Sequence, residues 1–333
     1  MVGRALTFSD PRVISLLQQH FIPVAVNQDY LVPLEWSHRN WSESAKFMTD
    51  ICKKAGRGTV KYQTVQGYYV ISAAGDLYGV MGACADPGQA PWMIKLLEDG
   101  LKGFSDKPPP KVELKEVSLG PETKAPEGTV VLRVFTRIDP LPKGLDPKKD
   151  LVNRGVGRDH LWILKDEQSE ILKRLAASRV GDLPDALGKR IVLHHLRDNV
   201  RGEPLPWGMD DVKALSFRIS LTKDSKTTLL VNLTGSYSLN KQNPESGLTG
   251  TLEGLLELDK STRRLKAAKI YASGEAFGAG PYTWNPPDGK FPLKFAMVLA
   301  EDDLARNIAP HSINFGSEEG NGRLERYLDV GRR

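Results

Sequence analysis

The chain has 333 residues, enough for two domains that each bury a core of their own. Hydrophobic residues at 40% and charged residues at 26% match an ordinary soluble globular protein. No window approaches the ~18 apolar residues needed to span a bilayer. The net charge of +5 is mild and its Lys and Arg residues are interspersed with acids. The locally basic stretches, Lys111 to Lys115 and Arg263-Arg264, are not interleaved with aromatics, so nucleic acid is not an expected partner.

Asp10-Pro11 supplies a helix cap and a first-turn proline, and Val13, Leu16 and Leu17 give the helix that follows an apolar face. Phe21 to Val26 is an apolar run fit for a buried strand. Ser42-Glu43-Ser44 opens a second helix with Phe47, Met48, Ile51 and Cys52 on it. Gln66 to Ser72, Ala74-Gly75 and Leu77 to Val80 spell a β-hairpin with glycine at its turn. Pro91 to Phe104 closes this region as an amphipathic helix through Met93, Ile94, Leu96, Leu97 and Leu101.

The stretch from Leu6 through Ser9-Asp10-Pro11 to Val26, with this helix, strand, helix, hairpin, helix order, resembles the thioredoxin-like superfamily without its first strand. The resemblance covers residues 1–104 and implies a thioredoxin-like α/β domain. The family's Cys-x-x-Cys pair would lie just upstream of Leu6, where Met1-Val2-Gly3-Arg4-Ala5 carries no cysteine. Thr64-Val65-Gln66-Gly67 stands where the family has a cis-proline, and Leu34 to Trp41 is an aromatic and polar insertion. The resemblance therefore implies the scaffold with its thiol chemistry absent.

Residues 105–127 hold Pro108-Pro109-Pro110, Pro121 and Pro126 among charges and read as a semi-rigid linker, with a strand at Val112 to Val117. Residues 128–315 read as a β-rich domain with one or two helices, and 316–333 as a polar tail. Strands are predicted over 129–138, 215–221, 227–237, 248–258, 263–273 and 291–299, and a helix over 166–177. The expected fold class is α+β, the second domain being a curved antiparallel sheet or partial barrel built from sequential neighbours.

Cys52 and Cys84 are the two cysteines, too few for a disulfide framework or a zinc cluster. Cys52 reads as a buried structural thiol; Cys84, in the turn Gly82 to Pro87, is the candidate catalytic thiol. Arg158 to Trp162 and His194 to Gly202 concentrate the Arg, His, Asp and Trp types that build ligand pockets, or else salt-bridge networks. Candidate ligand residues there are His160, Trp162, His194, His195, Arg197 and Asp198. Glu275, Tyr282 and Trp284, on the glycine-aromatic loop Gly274 to Trp284, are candidates for the entrance to any cavity the sheet encloses.

A metal at His160 with His194 or His195 and Asp159 or Asp198 lacks the usual helical spacing, so no metal or other cofactor is expected. No secretory signal is legible, and a cytoplasmic location is expected. The reading is a non-redox thioredoxin-like protein whose β-rich domain binds a small molecule or a protein. Its rival is a thiol-disulfide oxidoreductase using Cys84 or cysteines upstream of Met1.

Overall fold

The fold is described from a computed structural model, over residues 8, 10–24, 43–56, 66–82, 89–111, 125–147, 151, 155–203, 207–243, 245–280, 282–283, 289–301, 308–311 and 324–330. The chain divides into two compact units, one comprising residues 1–122 and 314–322, the other 123–313 and 323–333.

In the first unit, α1 (Pro11–His20) opens where the Asp10 carboxylate accepts the Arg12 backbone N–H at 2.9 Å. The same Asp10 pairs with the Arg12 guanidinium, which holds its pKa down to about 2. Helix α2 (Glu43–Lys54) and the hairpin β1 (Gly67–Ile71) and β2 (Leu77–Gly82) follow, then α3 (Ala90–Asp106). Val13 of α1, Val70 of β1 and Met93, Leu96 and Leu97 of α3 form one core. Gly100 lets α3 lie against the hairpin, since a Cβ there would stand 2.6 Å from a Val70 methyl.

The described part of the predicted strand at Phe21 to Val26 is not a strand. Phe21 packs partly against the core, but Ile22 is 91% exposed and Val24 70% exposed, so the run is not buried as a strand would be. An apolar run becomes a strand only against a neighbour, and β1 and β2 pair with each other alone among the described strands. The predicted strand at Val112 to Val117 lies outside the described residues.

The second unit is built on an open eight-stranded antiparallel sheet, in the order β4-β3-β12-β10-β9-β8-β7-β5. Its strands are β3 (Val130–Ile138), β4 (Gly157–Ile163), β5 (Val180–Asp182), β7 (Val212–Asp224), β8 (Thr228–Gln242), β9 (Glu245–Asp259), β10 (Arg264–Gly278) and β12 (Lys290–Leu299). Short strands β6 (Gly202–Glu203) and β11 (Tyr282–Thr283) pair separately. The predicted neighbours β7 to β10 do pair in sequence, while β3 and β4 join beyond β12. One face of the sheet is apolar through Leu132, Val134, Leu233, Leu256, Ile270, Phe295 and Met297. Ile171 and Leu175 of α4 (Lys165–Ser178) and Leu187 of α5 (Asp185–Arg190) cover it.

Two buried polar devices fix α4 to that face. Glu167 reaches back to accept the Leu164 N–H at 2.8 Å, closing the helix start. Gln168 donates to the carbonyls of Gly128, Ile163 and Leu164, and its side-chain oxygen accepts the Leu265 N–H at the β10 bulge. Toward the far end of the sheet, Tyr237 of β8 stands in register with Gly250, and Gly250 with Gly274. A Cβ on Gly250 would lie 2.1 Å from the Ser273 carbonyl oxygen and 2.7 Å from Tyr237 Oη. These two glycines thus give the tyrosine the space it occupies.

Residues 316–333, read from sequence as a polar tail, include a helical turn over 324–328 whose Tyr327 is fully buried, with Val330 buried beyond it. We expect Gly250→Ala to destabilise the fold by about 1–3 kcal/mol, through overpacking against backbone that has nowhere to go. Gly208→Ala, whose Cβ would come no nearer than 3.6 Å to Asp211, should cost far less. Urea midpoints of the two variants check this, and equal midpoints would contradict it.

Candidate functional site

The densest polar cluster of the second unit lies where β4 forms the edge of the sheet. The end of α5 passes into a π-helical turn, Ile191–His195, closed by a Leu196 N–H to Ile191 carbonyl bond of 3.0 Å. Such turns recur at functional sites, which makes the two histidines on this one worth following. His195 Nδ1 lies 2.9 Å from Asp159 Oδ2, and His195 Nε2 lies 2.9 Å from Tyr327 Oη. Tyr327 Oη accepts the Trp162 backbone N–H at 3.1 Å. The bonds run head to tail if the imidazole is neutral with its proton on Nδ1: Trp162 N–H to Tyr327, Tyr327 O–H to His195, His195 N–H to Asp159.

Asp159 Oδ1 also accepts the backbone N–H groups of His160 and His311, each at 2.7 Å. Burial by itself would raise this carboxyl, but the His195 interaction and the His311 N–H outweigh it and carry its pKa down. Burial drives the Tyr327 phenol upward and keeps it protonated.

Arg190, fully buried, anchors the other side of Tyr327. Its Nη1 donates to both Glu167 oxygens at 2.6 and 2.8 Å, its Nε to the Tyr327 carbonyl at 2.7 Å, and its Nη2 to the Leu328 carbonyl at 2.8 Å. The guanidinium also sits 5.1 Å from the centre of the Tyr327 ring. A triad-like Asp–His–Tyr chain is therefore present, but His195, Asp159 and Tyr327 are all enclosed. Its work is to satisfy the outward-facing amides of an edge strand, which would otherwise pair with another chain.

The site that does open is a cavity of about 50 Å³ at the end of β9, β10 and β12. Asp198, Arg201, Trp207, Phe277, Gly278 and Gly280 are among the residues that line it. Arg201 is 2% exposed. Its Nε pairs with Asp198, its Nη2 donates to the Gly278 carbonyl at 2.9 Å, and its guanidinium lies 4.6 Å from the centre of the Phe291 ring. Its Nη1 is buried with no hydrogen-bond partner among the described residues. Trp207 is held in place by donating its indole N–H to the Leu196 carbonyl at 3.0 Å. The glycine loop is pinned by Gly280 N–H to Thr283 Oγ1 at 2.7 Å.

Of the residues singled out from sequence, Asp198 reaches this cavity, together with the backbone of the loop that carries Tyr282 and Trp284. Tyr282 contributes to the short ladder with Glu203, while Trp284 and Cys84 lie outside the described residues. Glu275 is on the opposite face of the sheet, exposed and paired with Lys290. His160 faces away from Asp159, as strand alternation demands, so it does not join His194 or His195. Trp162 and Arg197 are buried, and His194 is half-buried beside Tyr327, ring centres 5.0 Å apart. Among the described residues, no group of three His, Cys, Asp or Glu is placed to hold a metal ion. Cys52 is buried, its Sγ 3.7 Å from Tyr69 Oη. Arg190, Glu167, Tyr327, Trp207 and Arg201 were not singled out. Arg201 stood inside a segment noted for polar density, whereas nothing local marks Tyr327.

No protein-family model, curated protein or solved structure matches the chain.

Replacing Tyr327 by Phe removes the acceptor for the Trp162 N–H and the donor to His195 together. We expect a loss of about 1–3 kcal/mol, read as a lowered urea midpoint. An unchanged midpoint would remove the edge-locking role. His194 supplies a pH signature. Burial first, then the neighbouring His195, Arg197 and Arg190, lower its pKa from 6.5 to about 3. The unfolded chain takes up that proton near pH 6.5, and the folded chain resists it down to about pH 3. Stability is therefore fully present above pH 6.5 and falls across that window, by something on the order of 2–4 kcal/mol. His194→Phe should flatten the fall in urea midpoint between neutral and mildly acidic pH; an unaltered slope would contradict the assignment.

Proposed function

We propose that this chain is a non-redox binding protein: a thioredoxin-like first unit joined to a β-rich unit that takes a small polar ligand in the cavity beside Arg201. The observation that carries the reading is the Nη1 of that buried arginine, without a partner among the described residues, at a cavity large enough for more than one water. A water needs only ~10–15 Å³ of such space. Leaving a buried cationic donor unsatisfied costs about 1–3 kcal/mol or more, so the site favours any molecule that brings an acceptor to it.

The chemistry of the pair sets the ligand class. Asp198 already neutralises the guanidinium, so a second full negative charge would enter a site whose positive charge is spent. A carbonyl or hydroxyl oxygen on a small neutral molecule suits the remaining donor, with Trp207 and Phe277 offering apolar surface to its body. The helix, helix, hairpin, helix order of the first unit supports the scaffold reading. The enclosed Asp159–His195–Tyr327 chain supports binding over turnover, since no substrate reaches it.

Acetamide and acetate, alike in size and different in charge, test this on the full chain by NMR of the Arg201 Nε–H and Trp207 indole N–H. Acetamide should shift both saturably and more strongly than acetate. Arg201→Met should abolish the response. Ala279→Leu, which fills the cavity while leaving the Arg201–Asp198 pair intact, should abolish it as well. No saturable shift with either molecule, or a response that survives the cavity filling, overturns the reading.

A further inference from the structure

The face of the large sheet opposite the helices assembles a surface that no linear stretch of the chain contains. Register fixes its rows across β10, β12, β3 and β4. One row runs Lys269, Val298, Arg133, His160; the next runs Tyr271, Ala296, Phe135, Arg158. Ser273, Lys294 and Arg137 complete the third. Arg137, Arg158, Lys269 and Tyr271 are exposed, and Arg133, Phe135 and Lys294 are partly so.

Acids on this face are few. Glu275 pairs with Lys290, Asp139 with Lys294 and Glu257 of β9 with Lys266, and Glu253 stands opposite Tyr271 on β9. Cations outnumber them, and they surround two aromatic rings. Tyr271 and Phe135 are two strands apart, about 10 Å at ~4.8 Å per strand. The residue between them is Ala296, so no bulky side chain separates the rings.

We propose that this face docks single-stranded nucleic acid, its phosphates on the arginines and lysines and its bases against Tyr271 and Phe135. Charge complementarity calls for an anionic polymer, and the paired aromatics select among such polymers. Every nucleobase has a face to stack, so a basic surface carrying exposed rings holds single strands with little sequence preference. A duplex keeps its bases stacked on one another and makes no use of the rings. An acidic peptide or a sulfated polysaccharide would engage the cations alone. The proposal rests on the sheet face and is independent of the cavity at Arg201.

Fluorescence anisotropy of a short fluorescein-labelled oligothymidylate with the full chain at low salt is the test. Saturable binding is expected, with log affinity falling linearly against log salt. Tyr271→Ala and Phe135→Leu should each weaken it about tenfold. The leucine preserves packing in case the phenylalanine contributes to the fold. The double change Arg158→Ala and Lys269→Ala should reduce the salt slope. Absence of saturable binding overturns the proposal. So does binding that heparin or polyglutamate displaces equally well and that Tyr271→Ala leaves unchanged, since that pattern marks a surface for any polyanion.

Discussion

The ion pair of Arg190 with Glu167, taken out of water, is the constraint from which the rest of the second unit follows. A guanidinium in a low-dielectric interior is tolerated only when its donors are satisfied, and here its neighbours were arranged to do so. Glu167 must stand at the start of α4, where it also closes the first turn. The backbone carbonyls of Tyr327 and Leu328 must turn inward, which brings the 324–328 turn against the edge of β4. Tyr327 then lies within reach of both His195 and the Trp162 amide. Residues far apart in sequence are thus tied into one unit by one buried ion pair.

That arrangement separates stability from function. An Asp–His–Tyr chain has the donors and acceptors of acid–base machinery, and here all three side chains are buried. The same chain segment, a few residues further on, leaves one Arg201 nitrogen without a partner among the described residues, at a cavity. Arg190 and Arg201, both buried, differ in what the fold provides for them. Arg190 is satisfied by protein on every side, and among the described residues Arg201 is not. The difference between a complete and an incomplete cage divides the scaffold from the proposed binding site.

The long strands of the second unit were legible because their apolar residues alternate and turn residues punctuate them. Leu252, Leu256 and Leu258 lie inward as that alternation requires, and α4 matches its predicted range closely. Strand β4 was not read as a strand. Its Arg, Asp and His residues look like a polar loop, and their burial depends on partners more than a hundred residues away. Tyr327 gave no local sign, since one tyrosine among charges carries no periodicity. Phe21 to Val24 erred the other way, an apolar run that finds no strand to pair with among the described residues. At the cavity, sequence indicated Asp198 and the glycine loop but not the arginine that joins them. The basic and aromatic sheet face was invisible, because its members come from four strands and meet only through register.

Amide hydrogen exchange at Trp162 and His160 tests most directly whether the polar network is there to close the edge of the sheet. An edge strand left open to water exchanges its outward amides by local fraying, whereas a closed edge waits for cooperative unfolding. The account predicts that these two amides exchange as slowly as those of the central strands β9 and β10, with the same dependence on denaturant. Exchange at rates typical of a frayed edge would show that Tyr327 and Asp159 do not seal β4, and the assignment of the Asp159–His195–Tyr327 chain to structure would fall.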